Sequence, residues 1–359
     1  MDPSPVIHSE KESSPPVILP SLPPEIWIRI LSHHEDPVHL WTTCRRVSNT
    51  FLSYVDQVFA DSYLRYSFAI DFQLEKHNLG GKSQRPEIPC TFHHFSLDKQ
   101  KHLAHFRDPR PKKGVIGPGP TPKHSKDKSN ATITEYDRVI ERWTERIATS
   151  KPETPHYTIR LLAHHRTTIL VNDTALPDLH FNASMREISF DWRSALTLFF
   201  REQARLLYLK AQHTTSSADI LASNRALLAS QKPIDPSSLP LPWPSLEPSL
   251  RKQIRRTRLR ETYAGNEEMM WALKSLGLYE GSKAADGRVL KSLGEIPGAG
   301  LGEKWWGSTW LLQGLYLDEW AALQGMERKV EGLREGWGDA EERAWVERSK
   351  KVGRRRGGG

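Results

Sequence analysis

The stretch Leu19–Leu64, LPSLPPEIWIRILSHHEDPVHLWTTCRRVSNTFLSYVDQVFADSYL, carries the strongest local pattern in this sequence of 359 residues. Pro23 and Pro24 suit the first turn of a helix, where the missing N–H has no partner to lose. The helix that follows places three apolar side chains on one face: Ile26, Ile30 and Leu31. The stretch therefore opens with a short amphipathic helix.

Two further helix starts follow in the same stretch. At Asp36-Pro37 an aspartate oxygen can cap free amides, and the proline suits the first helical position. A third helix runs on from Ser48, because apolar residues recur at helical spacing and no glycine or proline interrupts them before Arg65. Three helices of this size bury little surface by themselves, so we expect them to pack against a larger body.

This order of residues resembles the F-box. The Leu-Pro-x-Glu-Ile opening of that family is matched by residues 22–26, its Ile-Leu pair by Ile30-Leu31, and its Cys-Arg pair by Cys44-Arg45. The run Leu-Trp-Thr-Thr-Cys-Arg-Arg-Val-Ser is similar to the version common among filamentous fungi. Two places depart from the family pattern: His33-His34 replace a bulky apolar residue, and Val47 replaces a tryptophan.

The resemblance implies a partner and a role. In that family the helices dock on the Skp adaptor of a cullin-based ubiquitin ligase, and the rest of the chain holds a protein substrate, here unknown. The residues that the resemblance assigns to the adaptor contact are Leu22, Pro23, Glu25, Ile26, Ile30, Leu31, Leu40, Cys44 and Arg45. The alternative is a plain helical subdomain with these apolar residues in its core, but such a subdomain has no need of Leu22-Pro23 before the helix.

Composition favours an intracellular protein with substantial linker. Hydrophobic residues make up 37% of the chain, the mean hydropathy is −0.58, and there are 25 prolines. No apolar run approaches the ~20 residues of a membrane span, and the N-terminus lacks a hydrophobic signal core. Cys44 and Cys90 are too few for a disulfide framework. We expect a cytoplasmic or nuclear location, or both; the basic C-terminal tail is either a solvated segment or a localisation signal.

The predicted fold class is α+β. A three-helix F-box is followed by a small sheet covered by helices, a disordered linker and a helical C-terminal region. Strand periodicity is clear where Phe68, Ile70 and Phe72 alternate with smaller or polar residues. The predicted segments are a disordered tail (1–18), the F-box (19–64), an α+β body (65–212) with a disordered insertion (107–130), a Pro/Ser-rich linker (213–249), a helical Trp-rich region (250–347) and a basic tail (348–359).

The sequence connects no nucleophile with a base and an orienting group, so we do not expect an enzyme. One spacing is compatible with a metal: Cys90-x-x-His93 followed by His102-x-x-His105. A set of partly exposed histidines on a packed segment is the favoured alternative, because the pattern has one cysteine and His occurs 15 times in the chain. We therefore expect no metal and no cofactor.

A nucleic-acid-binding or general scaffold protein is the rival interpretation. The formal net charge is +8. Six basic residues fall within ten positions of one helical pattern: Arg251, Lys252, Arg255, Arg256, Arg258 and Arg260. No nucleic-acid-binding motif accompanies them, so we expect either a solvated basic face or pairing with acidic residues elsewhere in the fold.

The C-terminal third is rich in tryptophan. Trp310 and Trp320 flank several leucines in a helix that needs a buried face, so we expect them in the core. Trp305 and Trp306 lie between two glycines and are the candidates for an exposed substrate-binding surface, since large aromatics are enriched at binding hot spots.

Overall fold

The computed structural model describes residues 22–74, 87–96, 102–109, 128–163, 168–231, 233–235, 239–281 and 306–356, with the backbone alone for 128–136, 163, 278, 281, 306–309 and 337–356. These residues form one seven-stranded antiparallel sheet with helices packed on it, which is the α+β class that the sequence predicts. The predicted tail at 1–18 and most of the predicted insertion lie outside the described residues. None of the described helices is long and apolar enough to cross a membrane.

The N-terminal helices begin where their start signals predict. The side chain of Asp36 accepts hydrogen bonds from the amides of Val38 at 2.8 Å and His39 at 3.1 Å. Ser48 accepts one from the amide of Phe51 at 3.2 Å and caps the third helix. The elements of this N-terminal helical unit are α1 (Pro24–Ser32), α2 (Pro37–Thr42), a 3₁₀ turn (Cys44–Arg46), α3 (Asn49–Val58), a π-helical turn (Phe59–Tyr63) and α4 (Leu64–Tyr66).

The sheet is built around β1. Its strands are β1 (Phe68–Gln73), β2 (Glu87–Phe95), β3 (Leu103–Arg107), β4 (Tyr157–Ala163), β5 (Thr168–Asn172), β6 (His180–Asn182) and β7 (Glu187–Asp191). They are ordered β5-β4-β1-β2-β3-β7-β6. The alternate residues Phe68, Ile70 and Phe72 of β1 are buried on one face, as the periodicity predicts. The pairing of β2 with β3 shifts between Phe92 and His94, which is a β-bulge.

One hydrophobic core joins the N-terminal helical unit to the sheet. The helix α6 (Trp192–Ala229) follows β7 directly, and Asp191 caps it by accepting hydrogen bonds from two amides of its first turn. Phe199 packs edge-on against Phe68 of the sheet, and Phe200 packs against Phe59 of the N-terminal unit. Burying each large aromatic side chain contributes about 1.5–3 kcal/mol, so α6 holds the unit and the sheet together.

The remaining helices are α5 (Lys128–Ala148), α7 (Trp243–Thr262), α8 (Glu267–Gly281) and α9 (Trp306–Arg356). Trp143 of α5 is fully buried against Phe72, with ring centroids 6.0 Å apart. A second core forms among α7, α8 and α9. Lys329 of α9 lies 2.9 Å from the buried carboxylate of Asp71 in β1, so α9 reaches the face of the sheet opposite the main core.

Two boundaries differ from the prediction. The linker predicted at 213–249 is helical at both ends, because α6 continues into it and α7 begins inside it. Hydroxyls in this part of α6 bond back to carbonyls four residues earlier, as Thr214 does to Lys210 at 2.9 Å, so these hydroxyls are satisfied within the helix. The helix α9 also continues through most of the basic tail predicted at 348–359.

Candidate functional site

The helix α1 presents an apolar face to solvent. Ile26 and Ile30 are 42% and 48% exposed, and their spacing of four residues aligns them along one side of α1. Leu22, which comes just before the helix begins, is 41% exposed. Leu31, which the sequence places on the same face, is buried in the core instead. We call the exposed set Leu22, Ile26 and Ile30 the α1 stripe. A surface helix normally turns such residues inward, so the α1 stripe is a candidate contact surface.

The other residues assigned to the adaptor contact divide between surface and core. Pro23 and Glu25 are exposed beside the α1 stripe. Leu31 and Leu40 are buried, so their assignment as contact residues is corrected to packing: a unit this small needs its inward side chains for its own core. Cys44 is half-buried, and burial raises the pKa of its thiol.

Arg45 has an internal role. Its Nε lies 2.7 Å from the carboxylate of Asp56, and its guanidinium lies over the ring of Trp41, 4.3 Å from the centroid. The same carboxylate lies 2.9 Å from Nε of Arg193 in α6. Arg45 therefore fixes the N-terminal helical unit internally, and part of its side chain remains accessible at the surface.

Trp41 anchors the N-terminal helical unit to the body. Its ring is buried, and the ring centroid lies 4.8 Å from that of Phe59 and 5.9 Å from that of Phe200. Its indole N–H donates to the hydroxyl of Thr197 in α6 at 3.3 Å. The inner side of the unit is thus held against α6, while the α1 stripe is exposed to solvent.

Carboxylates pair with five of the six basic residues that the sequence singled out in α7: Arg251, Lys252, Arg255, Arg256 and Arg258. Arg256, for example, lies 2.5 Å from Glu319 of α9 and 2.9 Å from Glu280 of α8. All of these pairs except Arg251–Glu247, which lies within α7, connect α7 to other elements. They correspond to the pairing alternative that the sequence left open, and they weaken the nucleic-acid interpretation.

Asp173 is the buried centre of this network. It lies 2.9 Å from Nε of Arg255 and 2.6 Å from Nη2 of Arg258. Burial raises the pKa of this carboxyl, but the guanidiniums of Arg258 and Arg255 outweigh burial and hold the pKa well below its usual range. Glu202, which also faces Arg258, has a pKa raised by burial. A groove of about 500 Å³ opens beside Glu202 between α6 and α7.

Three histidines and one glutamate meet at the β-bulge, and we call them the His–Glu cluster: His93, His94, His105 and Glu187. Nδ1 of His93 lies 2.7 Å from Nδ1 of His94 and 3.3 Å from Oε2 of Glu187. Nδ1 of His105 lies 2.7 Å from Oε1 of Glu187, and its ring stacks on His94 with centroids 4.2 Å apart. Burial lowers the pKa of His94. The neighbouring His105 and His93 lower this pKa further, whereas the carboxylate of Glu187 raises it.

The Cys/His spacing that was weighed as a weak metal candidate contains only part of this cluster. His93 and His105 come together, but Cys90 is fully buried in the core on the opposite face of the sheet. His102 lies outside the cluster, with its ring 2.8 Å from the guanidinium of Arg193. The Cys/His set that the spacing suggests is therefore not a site.

His94 and Glu187 are the residues that the sequence reasoning missed. The adjacent pair His93-His94 was a visible signal, but an ordinary strand would point the two rings to opposite faces. Glu187 lies on β7, and only the strand order brings it beside β2 and β3.

The tryptophan prediction is wrong in part. Trp310 is 73% exposed and Trp320 is 44% exposed, because the buried side of α9 follows Leu312 and Leu315 and turns these two rings outward. Leu317 is exposed between them. The candidate surface residues Trp305 and Trp306 lie outside the residues whose side chains are described.

Comparisons with protein-family models, with curated proteins and with solved structures find no match for this chain. Its function is therefore inferred from its own residues and their geometry.

Proposed function

We propose that this protein is an F-box adaptor, which docks on the Skp subunit of a cullin-based ubiquitin ligase and presents a protein substrate for ubiquitination. The exposure of the α1 stripe carries the proposal. Leu22, Ile26 and Ile30 stand where the F-box pattern has apolar residues, and all three face solvent rather than the core. Their exposure is unexplained if the N-terminal helical unit is only a structural subdomain.

The support beneath the stripe fits the same role. Trp41 and Asp56 fasten the unit to α6, so α1 is held in place before any partner binds. A preorganised surface avoids the entropy cost of ordering side chains and backbone on binding. In such a complex the chemistry belongs to other subunits, and this chain contributes by holding acceptor lysines close to the conjugating enzyme.

A substrate surface is also part of the proposal. We place it on the outward side of α9, where Trp310, Leu317 and Trp320 are exposed. Large exposed aromatics are the side chains most enriched at binding hot spots. Trp310→Ala is expected to leave capture of the Skp subunit unchanged and to reduce proximity labelling of the substrate. Labelling equal to that of the unsubstituted chain would remove this part of the proposal.

The adaptor contact is tested by pull-down of purified Skp adaptor with the full chain. The double variant Leu22→Asp/Ile26→Asp places two charges where apolar side chains would be buried, so capture should fall at least about a hundredfold, given about 1.5–3 kcal/mol for each lost contact. Both positions are exposed, so thermal unfolding of the variant should match that of the unsubstituted chain.

The matched control is Leu227→Asp/Leu228→Asp, which places the same charges on two exposed leucines of α6. Capture by this control should be unchanged. Equal capture by the α1 variant and the control, or no capture by the unsubstituted chain, would contradict the proposal.

A further inference from the structure

We propose that His93, His94 and Glu187 form a binding site for a divalent transition-metal ion, with zinc as the expected ion. Two imidazole nitrogens and one carboxylate oxygen form a ligand set that suits zinc, and soft thiolate ligands are not required. The site differs from the set that the Cys/His spacing suggested, because it shares only His93 with that set.

The ligand atoms are close enough for one ion. One atom from each of the three side chains lies within 4.8 Å of the others. Zinc bonds of about 2.0–2.1 Å in a tetrahedral arrangement place ligand atoms roughly 3.3 Å apart. The separation between Nδ1 of His93 and Oε2 of Glu187 is 3.3 Å. The two histidine nitrogens, 2.7 Å apart, need to separate by a few tenths of an ångström, and both residues are exposed at the surface.

The carboxylate of Glu187 supplies an independent observation. Glu187 is only 8% exposed, yet its Oε2 accepts no hydrogen bond from any residue that the structure describes. Buried carboxylate oxygens normally have hydrogen-bond partners, because an unsatisfied acceptor is destabilising. Oε2 points toward His93, where a bound cation would satisfy it.

His105 holds this carboxylate in position. With its Nδ1 protonated, His105 donates to Oε1 of Glu187 at 2.7 Å, which leaves Oε2 free for an ion. Hydrogen bonds of this kind orient the carboxylates that bind metals, and their loss weakens metal binding. His105 is thus a positioning residue.

The β-bulge explains how two adjacent histidines reach one ion. Along a regular strand, neighbouring side chains point to opposite faces of the sheet. At this bulge His93 is the extra residue, so His93 and His94 together oppose the single residue His105. Both imidazoles therefore approach Glu187. With three protein ligands and two exposed rings, the fourth position of the ion faces solvent and takes a water molecule.

Isothermal titration of the full-length, untagged chain with zinc chloride, after treatment with a chelator, tests the site. We expect saturable binding of about one ion per chain at this site. His93→Asn and His94→Asn should each lower the affinity more than about tenfold, and His105→Asn by about tenfold or more through the loss of positioning. The matched control is His102→Asn, which removes a histidine that lies just before β3 and outside the cluster. The affinity of this variant for zinc should equal that of the unsubstituted chain.

Circular dichroism and thermal unfolding of the metal-free variants establish that each is folded. Glu187→Gln should also lower the affinity for zinc, because it removes a carboxylate ligand. If this buried variant does not fold, the variants of the exposed residues His93 and His94 still decide the result. The proposal is overturned if the unsubstituted chain binds no zinc, or if His93→Asn and His94→Asn bind as tightly as the chain itself. A loss of affinity in His102→Asn as large as in His94→Asn would also overturn it, since the ion would then lie elsewhere.

Discussion

Nε of Arg193, in the first turn of α6, lies 2.9 Å from the buried carboxylate of Asp56 in α3. The contact joins the N-terminal helical unit to the body of the protein. Asp56 also pairs with Arg45 at 2.7 Å, so one carboxylate balances two guanidiniums. The α1 stripe is thereby connected to the sheet through a small number of identifiable contacts.

Asp56→Asn should therefore destabilise the protein. Removing the charge leaves two guanidiniums without their buried partner, which we expect to lower the free energy of unfolding by about 2–3 kcal/mol, less than for a fully buried pair because Arg193 is partly exposed. Urea denaturation followed by circular dichroism measures the change. Asp61→Asn is the control, because its pair with Arg65 is exposed and its loss should change stability by less than about 1 kcal/mol. Equal effects of the two substitutions would contradict a supporting role for Asp56.

Trp41 and Trp310 should differ sharply when shortened to alanine. Trp41→Ala opens a cavity between α2 and α6 and should lower the free energy of unfolding by about 3–5 kcal/mol. Trp310→Ala changes an exposed ring and should remain within about 0.5 kcal/mol of the unsubstituted chain. Thermal unfolding of both variants provides the comparison. A large loss of stability in Trp310→Ala would show that the Trp310 ring is buried in the core.

The free energy of unfolding should decrease at acidic pH because of Asp173. Its folded pKa is depressed, so its contribution is present above its unfolded pKa of about 3.9 and is lost as the pH falls toward the folded value. Asp173→Asn should destabilise the protein near neutral pH, and the difference from the unsubstituted chain should shrink between about pH 5 and pH 3. Urea denaturation across this range measures it. The control is Asp219→Asn, at an exposed position of α6, and its free energy of unfolding should match that of the unsubstituted chain at every pH. A destabilisation by Asp173→Asn that stays the same from about pH 5 to pH 3 would contradict the role of this carboxylate in the pH dependence.

The helix α7 should not bind nucleic acid at physiological salt. Its paired cations have little charge left for phosphate, so duplex DNA binding measured by fluorescence anisotropy should be negligible at about 0.15 M salt. Any binding at low salt should disappear when Arg354, Arg355 and Arg356 of the basic tail are replaced by alanine. Binding that survives both the salt and the tail substitutions would restore the nucleic-acid interpretation.

Local signals allowed parts of the fold to be predicted. Asp36 predicted a helix start, because a capping oxygen acts within three residues of its own position. The third helix was predicted from its apolar spacing, and the structure adds Ser48 as its cap. Helical periodicity could not predict that Leu31 is buried while Ile30 is exposed, because the burial of each side chain depends on where the rest of the fold packs against α1. The alanine- and serine-containing half of α6 was predicted as linker because composition there is compatible with either state.

The candidate sites show the same division. The apolar face of α1 was predictable in part, because Ile26 and Ile30 are close together in sequence at helical spacing. The His–Glu cluster was not, because Glu187 and His94 meet only through the order and register of three strands. No local rule connects a glutamate on β7 to a histidine on β2.

The bulge at His93 is a single inserted residue, and its removal has a defined result. Phe92 pairs with Phe106 and His94 with His105, so the two partners on β3 are consecutive while those on β2 are not. We expect deletion of the His93 codon to restore an uninterrupted ladder between β2 and β3 and to remove one of the imidazoles beside Glu187. A chain of this fold can therefore gain or lose the paired histidines at the β-bulge through the insertion or deletion of a single codon.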